Sequence, residues 1–511
     1  MYIEPNTVIR LLKDCPLDTT YDHTLYFANA SEQSTYFKEL TKYTLSQQTY
    51  QRVKRGSMRV AVQAENLYDC NYLMFQNTAF GNKWFYAFIK SVEYVNNITS
   101  EVEFEIDVMQ TWYFDYTLGR CFVEREHSVT DNIGDNLVPE RLETGEYISS
   151  SFDATGKLGG KSIVVACTFD EEYKNVSGAY YCGLFSGLYF VVFPNTTAGA
   201  QDCADFISGA GAKTDGIVSV FLMATNMVGA ILDSAKTYDI SKTKNLTTID
   251  GYTPKNNKLF TYPYNFLYVT NLQGNHAEFP YEYFADDSCN FTLCGDMSCN
   301  PQVVLAPNNY KGVAVNYDEK LVLSGYPQLA YNTDTFKAWL AQNGASLATS
   351  TLSSAMGVGV GVASALAMTN PVTATIALAS TAVSASSLVG NTVASVYEHA
   401  IMPRQAHGST GATTMAAIGL LDFAFMQKHI RAEFAKIIDD YFTMYGYATH
   451  RVKVPNRSAR PHWNYTKTVG CVITGSIPSD DARKICAIYD NGITFWKSGD
   501  EVGDYSLDNG V

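Results

Sequence analysis

Charge is scarce in this sequence. Asp, Glu, Lys and Arg supply 17% of its 511 residues, where an ordinary soluble chain carries roughly 25%. With 46% hydrophobic residues beside so little charge, a disordered scaffold is excluded, and wide surfaces must be buried in cores or against partners. Basic residues are the scarcer sign: 37 Lys and Arg stand against 51 Asp and Glu, a net charge of −14. General binding to phosphate backbones is therefore a poor first function, since that grip comes from cations displacing counterions. The start, Met1-Tyr2-Ile3-Glu4-Pro5, lacks a charged residue followed by an apolar core, so no secretory signal peptide is expected. The 11 cysteines are odd in number and scattered, which excludes a dense disulfide framework and predicts free thiols in a reducing compartment. Cys289, Cys294 and Cys299 recur every five residues, but no CxxC or nearby His completes a zinc tetrad.

Catalytic signatures are missing too. The chain contains no HExxH, GxSxG or DxDxDG pattern. Gly209-Ala210-Gly211-Ala212-Lys213-Thr214 lacks the glycine before Lys213 that a phosphate-binding loop needs. His127 follows Glu124-Arg125-Glu126 and could form a base–carboxylate pair. With no nucleophile or metal set to serve, the segment reads as an ion-pair cluster at a strand end. No enzyme, catalytic residue, cofactor or metal is expected.

What is present is β-structure and aromatics. The 35 Tyr and 27 Phe favour strands and broad interfaces, and the length calls for several domains. Glu101 to Val108 alternates charged and apolar residues, the period of a half-exposed strand. Lys83 to Ile89, preceded by the turn Gly81-Asn82, reads as its partner. Glu101, Glu103, Glu105 and Asp107 would then face outward as one acidic row, either a solvated face or the wall of an acidic channel. Ile217 to Leu232 carries no charge but is short for a bilayer, so it reads as a buried strand followed by a turn or helix. Tyr262 to Tyr283 reads as a hairpin around Gln273-Gly274-Asn275. The 4-3-4-4 spacing of Ile430, Phe434, Ile437, Tyr441 and Tyr445 predicts an amphipathic helix over 420–445 ended by Gly446. Beyond it come a strand at Cys471–Thr474, a helix from near Ser479, and an Asn491-Gly492 turn into the strand Ile493–Trp496. Arg451, Lys453, Arg457, Arg460 and Lys467 cluster in a stretch without carboxylates. They make either a solvated or acid-paired face or a contact with DNA or an acidic neighbouring subunit.

One stretch differs in kind. Ala338 to Tyr397 contains no Asp, Glu, Lys or Arg. Leu352 and Met356 lead into Gly357-Val358-Gly359-Val360-Gly361-Val362, and Leu366 precedes the break at Asn370-Pro371. Ile376, Leu378, Val383, Leu388 and Val389 lie in the second arm. Each arm is near bilayer-spanning length and enters hydrocarbon without the cost of burying an ion. Gly, Ser and Thr dilute the aliphatics, so these are poor permanent anchors and poor core helices, but small residues let several copies pack closely.

Several motifs resemble a known family. Met74-Phe75-Gln76-Asn77, Gly81 to Phe88, Phe104 to Trp112 and Arg125-Glu126-His127 resemble the tail knob, or distal tail tube, proteins of short-tailed phi-29-type phages. So do Tyr262-Pro263-Tyr264, Gly274-Asn275-His276, Tyr445-Gly446-Tyr447, Arg451-Val452-Lys453 and Asp490 to Trp496, in the same order along nearly the whole chain. Residues 130–260 depart from the pattern and are shorter. The resemblance implies a mainly β protein with α+β parts, whose barrel-like tube domains assemble into a homohexameric ring at the far end of the tail. It implies inserted knob domains and an apolar loop that plugs the tube and then engages the host membrane on genome release. The expected partners are copies of itself, a proximal tail or collar protein, a tail-tip protein, the host membrane, and double-stranded DNA passing without sequence readout. The expected division is a tube β domain at 1–125, a knob insert at 126–260 and a second β region at 261–343. A plug loop at 344–410 and an α/β region completing the tube at 411–511 follow. The alternative is a receptor-binding or wall-degrading tail protein, which needs an aromatic cleft with a carboxylate pair.

Overall fold

The computed structural model describes residues 6–48, 56–153, 161–169, 176–181, 184–194, 196–209, 216–225, 227–228, 236–243, 246–298, 301–324, 326, 328–329 and 422–510. The chain is mainly β and divides into two compact units. The first unit holds Met1–Leu142, Pro254–Lys258 and Lys436–Val511, and the second holds Glu143–Thr253 and Leu259–Ala435.

In the first unit, six antiparallel strands run in the order Thr41–Gln48, Thr7–Lys13, Cys70–Gln76, Phe85–Asn96, Thr99–Ile106, Ser57–Val60. Alternation along these strands supplies two cores. Ile9, Leu11, Leu73, Phe75, Val102 and Phe104 fill one. Leu12, Tyr72, Met74, Tyr86 and Phe88 turn into the other. There Phe37, from the helix Ala30–Glu39, stacks on Tyr72 with ring centroids 5.3 Å apart. Asn29 caps that helix by accepting from Glu32 N at 2.9 Å.

A five-stranded sheet completes the unit, ordered His23–Leu25, Ile493–Trp496, Trp463–Val469, Cys121–Glu126, Tyr447–Lys453. Trp463 and Trp496 stand directly opposite each other, both fully buried, with centroids 5.0 Å apart. The helix Ser479–Asn491 buries Ile485, Ile488 and Tyr489, and the Tyr489 hydroxyl meets that of Tyr116 at 3.1 Å. The expected C-terminal helix, turn and strand are all found.

The second unit is built from three sheets. One runs Tyr147–Asp153, Ala424–Ile430, Asn265–Thr270, His276–Phe279, and its last pair is the hairpin expected around Gln273-Gly274-Asn275. Another runs Val176–Tyr181, Leu184–Pro194, Lys161–Cys167, Ile217–Ala224, Gln328–Leu329, with the helix Thr197–Gly209 packed against it. The third joins Lys236–Thr243, Ser288–Asp296, Gln302–Tyr310 and Val313–Val315, with Leu321–Leu323 beside the third strand. Phe279, Phe284, Phe291 and Tyr310 interlock edge-on in the core between them.

The helix expected over 420–445 is corrected. Ala424–Ile430 is a strand paired on both sides, and the helix spans only Ala432–Tyr445. The helical spacing starts only at Ile430, and the residues before it pair into two ladders of backbone hydrogen bonds. The buried apolar positions of the helix are Ala435, Ile438 and Phe442, while Ile437 is 66% exposed. The helix does end at Gly446, whose φ of 66° favours glycine and where a Cβ would strike Glu126 O at 2.3 Å.

Candidate functional site

The acidic row lies on the hairpin of Phe85–Asn96 and Thr99–Ile106. Glu101, Glu103 and Glu105 project from one face of the strand, as alternation requires. Glu93 stands directly across from Glu101 and adds a fourth carboxylate. Asp107 does not belong to the row. The strand ends at Ile106, and Asp107 turns inward to cap the short helix Val108–Thr111. There it accepts from Gln110 N at 3.1 Å and the Tyr72 hydroxyl at 2.8 Å. Burial pushes its carboxyl up to about 6.

Nor is the row a naked wall of charge. Arg59 pairs with Glu101 at 3.3 Å, and Lys90 and Lys484 both reach Glu105. Those two ammonium groups hold the Glu105 carboxyl below the usual range. Glu103 is exposed and accepts from Ser91 Oγ at 3.2 Å. Four carboxylates and three cations thus share this face, which carries only a slight negative excess.

The segment Glu124 to His127 is an ion-pair cluster at a strand end. Glu124 pairs with Lys467, and buried Glu126 takes Lys453 and Asn456 N. Arg125 pairs with Glu140, a residue the sequence did not single out. The Glu140 carboxylate, 2% exposed, also binds Lys258 Nζ and accepts from Ala448 N at 3.1 Å. It thereby fastens a loop, the segment Pro254–Lys258 and the strand Tyr447–Lys453 within the first unit. His127 is fully buried between Tyr465 N, which donates to Nδ1 at 2.8 Å, and Thr443 O, 3.0 Å from Nε2. Burial, with Arg460 and Arg125 nearby, holds it neutral and its pKa down to about 3. Beside it Asp439 accepts from Lys255 N and Asn256 N at 2.7 and 3.0 Å. These are groups locked into structure, with both ring nitrogens of His127 engaged.

The cations Arg451 to Lys467 separate by role. Lys453 and Lys467 are acid-paired, Arg460 is buried, and Arg457 lies over the Tyr113 ring at 4.9 Å. Among the described residues no group of His, Cys, Asp and Glu is arranged for a metal ion. No helix among them is long and apolar enough to cross a membrane. The apolar stretch from Leu352 to Val389, with its Asn370-Pro371 break, lies outside the described residues, as does most of the Gly209–Thr214 loop.

The remaining surface feature is apolar. Phe122, Val452 and Val469 lie directly across from one another on three adjacent strands, 39%, 59% and 55% exposed. His450 stacks on Phe122 at 5.9 Å.

The chain is a structural protein of a phage tail: residues 5–117 match the N-terminal family of caudoviral major tail proteins. Residues 193–510, more than half of the chain, match the family of the C-terminal domain of tail knob protein gp9 of Bacillus phage phi29, and the chain belongs to that family. It is 26% identical to tail knob protein gp9 of Bacillus phage PZA and 25% identical to that of phi29, covering 98% of both chains in each case. The alignment with the PZA protein spans 592 positions against 511 residues here, so at least 592 − 511 = 81 positions have no counterpart in this chain. Among solved structures, the tail knob protein gp12 of bacteriophage C1 superposes with a TM-score of 0.63 at 14% identity, covering 98% of this chain and 99% of that one. That likeness shows the fold. The chain is a tail component of a phage virion.

Proposed function

We propose that copies of this chain close into a ring, hexameric by the family resemblance, which forms the distal tube of the tail and conducts double-stranded DNA outward. The observation that carries this reading is the exposed row Phe122–Val452–Val469 beside the edge strand Tyr447–Lys453. An apolar stripe next to open backbone hydrogen-bonding groups invites unwanted pairing unless a neighbouring subunit covers it. The hairpin tip, with Tyr94 56% and Ile98 74% exposed, offers a second such surface on the same chain. Two unlike surfaces suit head-to-tail contacts, which close into rings.

In this reading the face bearing Glu93, Glu101, Glu103 and Glu105 lines the passage. A near-neutral, slightly negative wall does not release counterions from DNA and so does not hold it. The protein acts by shape and low adhesion, without chemistry. The stretch 344–410 plugs the tube and later engages the host membrane, its uncharged arms entering as hairpins. A collar protein above and a tip protein below complete the set of partners.

Deleting residues 345–396 tests the plug. The ring should still assemble, with an open end and with no leakage of dye from liposomes. A variant that leaks dye as well as the parent would overturn the membrane role, and one that no longer folds would place the stretch in a core.

A further inference from the structure

Three cysteines far apart in sequence share one place in the first unit. Cys121 opens the strand Cys121–Glu126, Cys471 lies in the turn after Val469, and Cys486 sits on the helix Ser479–Asn491. Their segments are tied together. Gly119 N donates to Val472 O at 2.7 Å, and Ile473–Gly475 pairs with Tyr116–Leu118. Asp490, one turn beyond Cys486, accepts from Cys471 N at 3.0 Å and from Thr468 Oγ1 at 2.7 Å. The Cys471 thiol lies within hydrogen-bonding reach of both Cys121 and Cys486. Cys121 is buried, while Cys471 and Cys486 are only half-buried and reachable from solvent.

A virion is assembled in a reducing cytoplasm and then meets oxidising surroundings. We propose that Cys471 and Cys486 are a latent disulfide pair that closes after this passage and ties the C-terminal helix to the turn before the strand Ile473–Gly475. Burial raises the pKa of all three thiols, which keeps thiolate scarce and the pair open during assembly. Cys486 is the attacking group, because the Cys471 S–H supports its thiolate.

The oxidant is a low-molecular-weight disulfide such as oxidised glutathione. Cys486 loses its proton and its sulfur attacks one sulfur of the reagent; a mixed disulfide forms and one glutathione thiolate leaves, taking up a proton. Cys471 then loses its proton and attacks Cys486 Sγ. The protein disulfide forms and the second glutathione leaves and is protonated. Two electrons and two protons pass from the protein to the reagent.

The full-length assembled protein is incubated with oxidised glutathione at about pH 9, where more thiolate forms, then alkylated and digested without reduction. A peptide linking Cys471 to Cys486 is expected, lighter by about 2 Da than its reduced parts and lost on adding dithiothreitol. In Cys471→Ser a glutathione adduct should persist on Cys486, and Cys121→Ala should still form the link. Alkylation of both Cys471 and Cys486 in the parent protein would overturn the proposal. So would a lasting glutathione adduct on the parent Cys486, or a bridge to Cys121.

Discussion

Replacing His127 by leucine should lift a penalty that acid places on the first unit. In the folded protein the ring is buried and neutral: Tyr465 N donates to Nδ1, and protonation would set two donors face to face. The folded pKa of about 3 lies well below the ordinary 6.5. Because the unfolded chain binds the proton first, stability rises with pH between these values and is lost as pH falls through that window. Each pH unit below 6.5 costs about 1.4 kcal/mol, or about 3 kcal/mol by pH 4. Leucine removes this penalty but leaves Tyr465 N without its acceptor, while Thr443 O keeps Trp463 Nε1 at 3.0 Å. One orphaned buried N–H costs about 2 kcal/mol. His127→Leu should therefore be less stable than the parent at pH 7, equal to it near pH 5 and more stable at pH 4. Urea unfolding followed by tryptophan fluorescence reads this directly, since Trp84, Trp112, Trp463 and Trp496 all lie in the first unit. Parallel pH profiles for parent and variant would refute the reasoning.

Asp107→Asn should act in the opposite sense. The raised carboxyl pKa of about 6 means the folded state binds the proton first, so this group's contribution falls as pH rises from about 4 to 6. Asparagine can keep the cap on Gln110 N, and the variant should gain up to about 3 kcal/mol relative to the parent between pH 4 and 7, measured by the same unfolding curves. Glu140→Gln removes the carboxylate shared by Arg125 and Lys258 and should cost about 3–5 kcal/mol. Adding Lys258→Met should recover part of that loss in thermal melts. Changing Glu93, Glu101 and Glu103 to Lys should leave assembly intact but slow DNA release from particles, because positive rings hold phosphates. An unchanged release rate would place this face away from DNA.

The hairpins could be read from the sequence because their signals are local. Alternation in Glu101–Val108 and the turn residues around Gly274 specify faces and connections without reference to distant segments. What could not be read depends on distant partners. Arg59 and Lys484 come from 42 and 379 residues away to neutralise the acidic row. Asp107 continues the alternation in sequence but follows the last strand residue, and a helix cap claims it. Ala424–Ile430 precedes the helical spacing, which begins only at Ile430, and neighbours on both sides fix it as a strand. Glu140 sits in a loop with no periodic signal, so its role as a buried hub appears only once Lys258 and Arg125 are brought together.

Closure of the chain with its own copies is the claim on which the conduit reading stands. Electron microscopy of the purified protein should show sixfold rings with a central hole. A monodisperse monomer at micromolar concentration, with no rings in any field, would contradict it.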